Sequence, residues 1–393
     1  MPYPPRDGGS LATYNMARGL AEAGNRVDLL AMNTAKHHVS SDDILTEIPG
    51  SVKSVAVYVD NRVNYFSLLY NLIFTSRPYN SERYISIDFK AMLAKILNDK
   101  RYDLVQLEGL YLAPYIDTIR EFSDAVVAYR AHNVEHRIWE KYGQRDNNPL
   151  KKWYIDIQYH RIMRLEQWFI NQYDMLVAIT ENDLEIYNKM GNIKPGIVAT
   201  FGMYDDQASL KRHYEGDVYC LQFIGALDWL PNIEALEWFF ENVWEELKRR
   251  RPSLRFYVAG RNAGPELAAY LRKSGADFVG EVKNSGEFLS KPGILVVPLF
   301  SGSGVRVRVV EAMYFGKPIV ASREALSGIS YENGIHLFSA NDPDRFIVYI
   351  ERLLDKPADG RAMGMRAREL ALKSYNNRTI TENLTGFYKK YTA

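Results

Sequence analysis

The chain has 393 residues, 47% of them apolar and 25% charged, with a formal net charge of +1. That length exceeds one ordinary core, so two domains of roughly 150 to 200 residues each are expected. The near-neutral balance argues against a dedicated nucleic-acid binder, and the single cysteine, Cys220, excludes an intramolecular disulfide and fits a reducing compartment.

The opening MPYPPRDGG has no apolar run of the signal-peptide kind. No later stretch approaches the ~18 uninterrupted apolar residues of a membrane span. Residues 11–24 place apolar side chains at helical spacing and end in Gly24, a C-cap signal. Strands are then predicted at 26–32, 52–59, 102–109, 125–132 and 174–180, with a helix at 89–100 before the third. The rhythm breaks between about 187 and 217, where Gly191, Pro195, Gly196 and Gly202 precede a polar run. It restarts with strands at 220–225, 255–260, 277–282, 294–300, 317–322 and 334–339, and helices at 232–250, 311–315 and 343–355. The expected domains are 1–205 and 206–375, with 376–393 as a closing segment. Strands alternating with helices imply parallel sheets covered on both faces. In such sheets ligands sit beyond the carboxyl ends of the strands, so the loops after strands are where chemistry is expected. At the start, Gly8 and Gly9 look like a strand-to-helix turn, yet only seven residues precede them, so the first strand is expected to be missing or truncated.

The segment PLFSGSGVRVRVVEAMYFGKPIVAS, residues 298–322, carries the most chemistry. A buried strand runs into a Ser/Gly loop whose amides can approach a ligand closely. A helix N-terminus follows, with Arg306 and Arg308 as guanidinium donors suited to phosphate oxygens. Glu311 could accept hydrogen bonds from sugar hydroxyls. The plain alternative is a turn with two solvent-facing arginines and a helix-surface glutamate. His132 closes a strand of the first half, as a donor or general base or as a histidine satisfied by a local carbonyl. His132 and His136 are four apart, which could also suit a metal on one helical face, although no third ligand is evident. Gly8 and Gly9 can admit a phosphate or a sugar, or form a plain turn. In GALDWLPNIEA, Asp228 or Asn232 could cap the next helix with Pro231 pre-setting its start, and the Gly225 backbone could meet a ligand. Residues 63–79 are apolar with Arg62 and Arg77 at their ends, fitting a helix on a membrane surface, in the core, or along an acceptor groove.

Taken together, the early GG before a helix, His132 in AHN, FIGALDWLPN, FYVAG and the 298–322 segment resemble the large retaining glycosyltransferase family numbered four, over nearly the whole chain. The resemblance implies a GT-B fold: two Rossmann-like, doubly wound α/β domains facing a cleft, with a C-terminal helix crossing back to the first. It implies a nucleotide-sugar donor held mainly by the second domain. Glu311 matches the glutamate that binds the donor ribose, Arg306 and Arg308 match a basic pair near the diphosphate, and His132 matches the histidine that contacts the donor sugar. Gly8 and Gly9 match the glycine turn near diphosphate and acceptor. Gly225, Arg261, Ser303 and Gly304 complete the expected donor-binding set.

The sequence departs from the family in two further places. Ser303 stands where the family's first glutamate is expected, and Ala226 and Asn232 stand where many relatives carry Arg and Lys. The expected reaction is sugar transfer to a hydroxyl of a glycan or lipid-linked acceptor in bacterial surface polysaccharide synthesis. No metal or other cofactor is expected, because the arginines take the cationic role. The expected location is cytoplasmic, with peripheral association at the inner membrane left open. The rivals are a sugar-nucleotide epimerase of the same build and a catalytically silent nucleotide-sugar-binding protein.

Overall fold

The computed structural model describes the chain except residues 1–7, 36–38, 40–46, 49–51, 146–147, 205–219, 283–284, 302–304 and 393. The chain divides into two compact units, one formed by Met1–Gly202 with Asn377–Ala393 and the other by Met203–Asn376. The expectation of a missing first strand concerns residues outside the described ones.

In the first unit, β1 (Asp28–Thr34), β2 (Glu47–Ile48) and β3 (Val52–Val59) form a sheet in the order β1-β3-β2. A second sheet runs β4 (Leu104–Glu108), β5 (Val126–Ala131), β6 (Met175–Ala178), β7 (Gly196–Val198), all parallel. β6 is buried at every residue, as a parallel strand covered on both faces must be. One face packs against the helix Ile87–Asp99 through Phe89, Leu93 and Leu97. The other packs against the first helix, Gly8–Glu22, and the last, Asn377–Tyr388, through Met16, Ala128, Leu384 and Tyr388.

Those two helices pack closely because the sequence leaves room. A Cβ on Gly19 would lie 2.6 Å from the Thr381 side chain, and one on Gly202 would lie 2.6 Å from the Asn377 backbone. Buried amides fill the seam: Asn15 donates to the Gly202 carbonyl at 2.8 Å, and Asn377 donates to the Asn15 carbonyl at 2.7 Å. The first helix stops where its sequence says it should, with Gly24 at φ +90°.

The second unit carries one six-stranded sheet: β8 (Cys220–Ile224), β9 (Arg255–Ala259), β10 (Asp277–Gly280), β11 (Ile294–Val297), β12 (Ile319–Ala321) and β13 (Phe338–Ser339). Their spatial order is β10-β9-β8-β11-β12-β13, and every pairing is parallel. The chain therefore winds outward one way for three strands and the other way for three, reversing between β8 and β11. A ligand crevice forms at such a reversal.

Three expectations need correction. The strand predicted over 294–300 stops at Val297, because Pro298 has no N–H to continue the ladder. The strand predicted from 334 begins only at Phe338, after a turn in which Gly334 takes φ +81°. The helix predicted over 232–250 runs Leu230–Phe239, widens to a π-helical turn at Phe240–Trp244, and resumes at Glu245–Arg250. The longest helix, Pro149–Phe169, escaped the pattern reading because its buried positions include Gln158 and Glu166 beside Ile155, Ile162 and Phe169.

Candidate functional site

The loops after β8 and β9 are pressed together. Gly225 N–H donates to the Ala259 carbonyl at 3.2 Å, and Leu227 N–H to the Arg261 carbonyl at 2.8 Å. A Cβ on Gly260 would fall 2.0 Å from the Gly225 carbonyl oxygen, so only glycine fits there. Gly225 and the Arg261 backbone thus share one tight turn pair at the carboxyl edge of the sheet. The predicted caps are not made. The helix Leu230–Phe239 has Trp229 at its N-cap with no side-chain bond. Asn232 lies inside the helix and reaches back to the Ala226 carbonyl at 2.8 Å, while Asp228 accepts from Asn262 at 3.1 Å. Asn232 is 7% exposed and braces the loop.

The loop after β11 lies on the other side of the reversal. Within it Gly302, Ser303 and Gly304 are outside the described residues, so the expectations on Ser303 and Gly304 are not addressed. Arg306 occupies the N-cap position of the helix Val307–Tyr314. Its Nη2 donates to the Ser301 carbonyl at 3.1 Å, and its guanidinium lies 5.2 Å from the Trp229 ring centre. Ser301 Oγ donates to Glu234 Oε2 at 3.1 Å. Arg306 therefore links the β11 loop to the β8 loop across the strand reversal. Two residues on, Arg308 Nη1 donates to Glu311 Oε2 at 2.6 Å, and Ser285 Oγ donates to Glu311 Oε1. Glu311 is 5% exposed, so it is not the helix-surface glutamate of the plain alternative.

In the first unit, His132 follows the end of β5. Strand side chains alternate faces, so Gln106 and Glu108 on β4 share a face, and so do Arg130 on β5 and His132 just beyond it. The register sets Glu108 directly opposite Arg130. Glu108 Oε2 accepts from Arg130 Nη1 at 3.0 Å and meets His132 Nε2 at 2.5 Å, while Oε1 accepts from Gln106 Nε2. Burial alone would raise the Glu108 carboxyl. The Arg130 charge and the bonds from His132 and Gln106 outweigh it and hold the group at about 2. His132 is thus engaged by a carboxylate, not by a local carbonyl.

His136 has its own acid: Nδ1 meets Glu166 Oε2 at 2.5 Å, and Glu166 also accepts from the Glu135 and His136 amides. His132 precedes the helix Glu135–Arg145, so the two histidines do not share a helical face, and the shared-metal alternative loses its premise. Gly8 and Gly9 open the first helix, with Gly9 exposed. Glu108, Trp229 and Ser285 escaped the sequence reading. The one signal available was a carboxylate at the end of an otherwise apolar strand.

The comparisons agree with this architecture. The family described as Glycosyl transferases group 1 matches residues 219–356, and Glycosyltransferase Family 4 matches residues 6–200. A 44.6 kDa protein of the Klebsiella pneumoniae cps region is 20% identical over 397 residues, covering 98% of this chain and 96% of that protein. Sucrose-phosphate synthase from Thermosynechococcus elongatus superposes with a TM-score of 0.68 at 17% identity, covering 98% of this chain and 93% of that one. Anabaena HepE in complex with UDP and glucose superposes at 0.64 with 12% identity, covering 98% and 96%. Two Rossmann-like units, a strand reversal lined by glycines and arginine, and family matches over both halves lead to one assignment: the chain belongs to the GT-B glycosyltransferases of the family 4 type.

Proposed function

We propose that the chain transfers a sugar, with retention of anomeric configuration, from a nucleoside-diphosphate sugar to a hydroxyl of a glycan or lipid-linked acceptor in surface polysaccharide assembly. The observation that carries the reading is Arg306, stretched between the two loops that flank the strand reversal. In this reading the diphosphate docks beside Arg306 and Arg308, and the ribose hydroxyls bind Glu311. As the bond to the anomeric carbon breaks, negative charge grows on the departing diphosphate. Guanidinium groups already in place stabilise that charge with little reorganisation, so the proposal needs no metal. His132 contacts the donor sugar. HepE, with UDP and glucose, and the cps-region relative support the donor class and the polysaccharide setting.

The acceptor side rests on the helix Tyr65–Phe74. No helix among the described residues is long and apolar enough to cross a membrane. This one is inverted instead: Asn71 is buried and held by Arg161 at 2.9 Å, while Tyr65, Phe66 and Phe74 are 82, 88 and 70% exposed. An apolar outward face suits a lipid-linked acceptor or peripheral contact with the membrane bearing it.

A panel of nucleoside-diphosphate sugars screened by thermal shift should identify one that raises Tm by mass action. That donor should then be consumed only when acceptor is added. Conversion of the sugar in the donor alone would indicate an epimerase instead. Co-sedimentation with anionic-lipid vesicles, lost in Phe66→Ser, checks the membrane-facing helix; unchanged sedimentation removes that assignment.

A further inference from the structure

The four polar side chains around Glu108 form a chain of hydrogen bonds whose direction is set by one charge. Tyr388 Oη, on the last helix, donates to Gln106 Oε1 at 2.5 Å, and Gln106 Nε2 donates to Glu108 Oε1. Arg130, 1% exposed, donates to Glu108 Oε2, and His132 Nε2 lies on the same oxygen. An ionised carboxylate can only accept. The amide of Gln106 must therefore turn its NH2 toward Glu108 and its oxygen toward Tyr388, and Tyr388 must donate. By the same logic His132 must carry a proton on Nε2. Its other nitrogen, Nδ1, is then left for a ligand, on a side chain that is 29% exposed.

We infer that Glu108 is a positioning residue for His132, fixing the Nε2-protonated tautomer and the ring orientation so that Nδ1 meets the donor sugar, with Gln106 and Tyr388 extending the same chain to the last helix. The inference rests on the reading of His132 as a donor-sugar contact, but the tautomer can be measured without it. Burial pushes the Tyr388 phenol up, which keeps it neutral and able to donate.

The test combines histidine NMR with kinetics on the full chain. In protein labelled with 15N-histidine, the His132 signals are assigned by their disappearance in His132→Asn. They should show the Nε2-protonated form at neutral pH. In Glu108→Leu that preference should vanish, and kcat for transfer should fall, by roughly 10- to 100-fold if the loss matches that of removing the partner that orients a metal-bound imidazole. KM for the nucleotide sugar should change little. Glu108→Gln, whose amide oxygen can still accept from Nε2, should recover most of the tautomer preference and of kcat.

A wild-type His132 whose neutral form carries its proton on Nδ1 rather than Nε2 overturns the inference, even if Glu108→Leu does not fold. So does a folded Glu108→Leu with wild-type kcat, provided that His132→Ala is inactive. Full activity in His132→Ala would instead overturn the sugar-contact reading, leaving the tautomer result to decide the positioning on its own.

Discussion

The polar clusters of the two units are built on opposite plans. In the first, Arg130 is sealed in and its charge is met by Glu108, which also takes His132 and Gln106. In the second, Arg306 rests on a backbone carbonyl and an aromatic face, and Arg308, 35% exposed, pairs with Glu311. A sealed ion pair cannot be exchanged for a ligand without a large desolvation cost. Arg308 keeps about a third of its side chain in solvent, so it can reach a phosphate while Glu311 stays held by Ser285. The first cluster suits fixed placement of a side chain, and the second suits exchange of partners with an incoming anion.

The most direct way to break this contrast is Glu108→Ala. It strands a buried guanidinium, so it should cost about 3 to 5 kcal/mol in unfolding stability, read by denaturant titration. A loss below about 1 kcal/mol, as for an exposed pair, would place Arg130 in the same class as the second unit's arginines. Arg306→Ala should do the reverse, costing less in stability than Glu108→Ala while lowering kcat by on the order of 10²-fold. Unchanged turnover in well-folded protein would remove Arg306 from the mechanism.

The pH response should separate the units as well. Glu108 is held at about 2 when folded, below the ordinary value of 4.5. Its contribution is full above the unfolded value and is lost as pH falls from about 4.5 toward 2, so the first unit should weaken in acid.

Lys317 in the second unit gives a slope of the same sign in a different window, above neutrality. It is fully buried, donates to the Leu289 and Lys291 carbonyls at 3.1 and 2.6 Å, and burial pulls its ammonium down to about 7. Between that value and its unfolded one near 10.5, the unfolded chain holds the extra proton. Stability of the second unit should therefore rise with pH above 7, by at most about 1.4 kcal/mol per pH unit. Lys317→Met should flatten the slope, and an unaltered slope would assign it to other groups. The smallest effect is expected for Tyr388→Phe, about 1 kcal/mol for one net hydrogen bond, measured by the same titration.

Much of the second unit was legible in the sequence, because short apolar runs separated by amphipathic stretches and punctuated by glycine encode strands and loops locally. The Ser/Gly loop and Arg306 could be placed after a strand on that ground alone. Glu108 could not be placed, since its partner is 22 residues away and only the parallel register brings the two opposite. The helix Tyr65–Phe74 defeats pattern reading for another reason. Periodicity tells which residues share a face but not which face meets water, and here Asn71 is the residue turned inward. Trp229 was passed over because nothing local distinguishes a packing aromatic from one that supports a cation.

The seam between the first and last helices has a consequence for biosynthesis. The helix beginning at Asn377 completes the apolar face around Met16 and Ala128, and its Tyr388 ends the hydrogen-bond chain that starts at His132. A ribosome that has delivered the whole of the second unit has not yet delivered this helix. The domain translated first is therefore finished last, and a nascent chain stalled before Asn377 would display Met16 and Ala128 as a sticky surface for chaperones to cover.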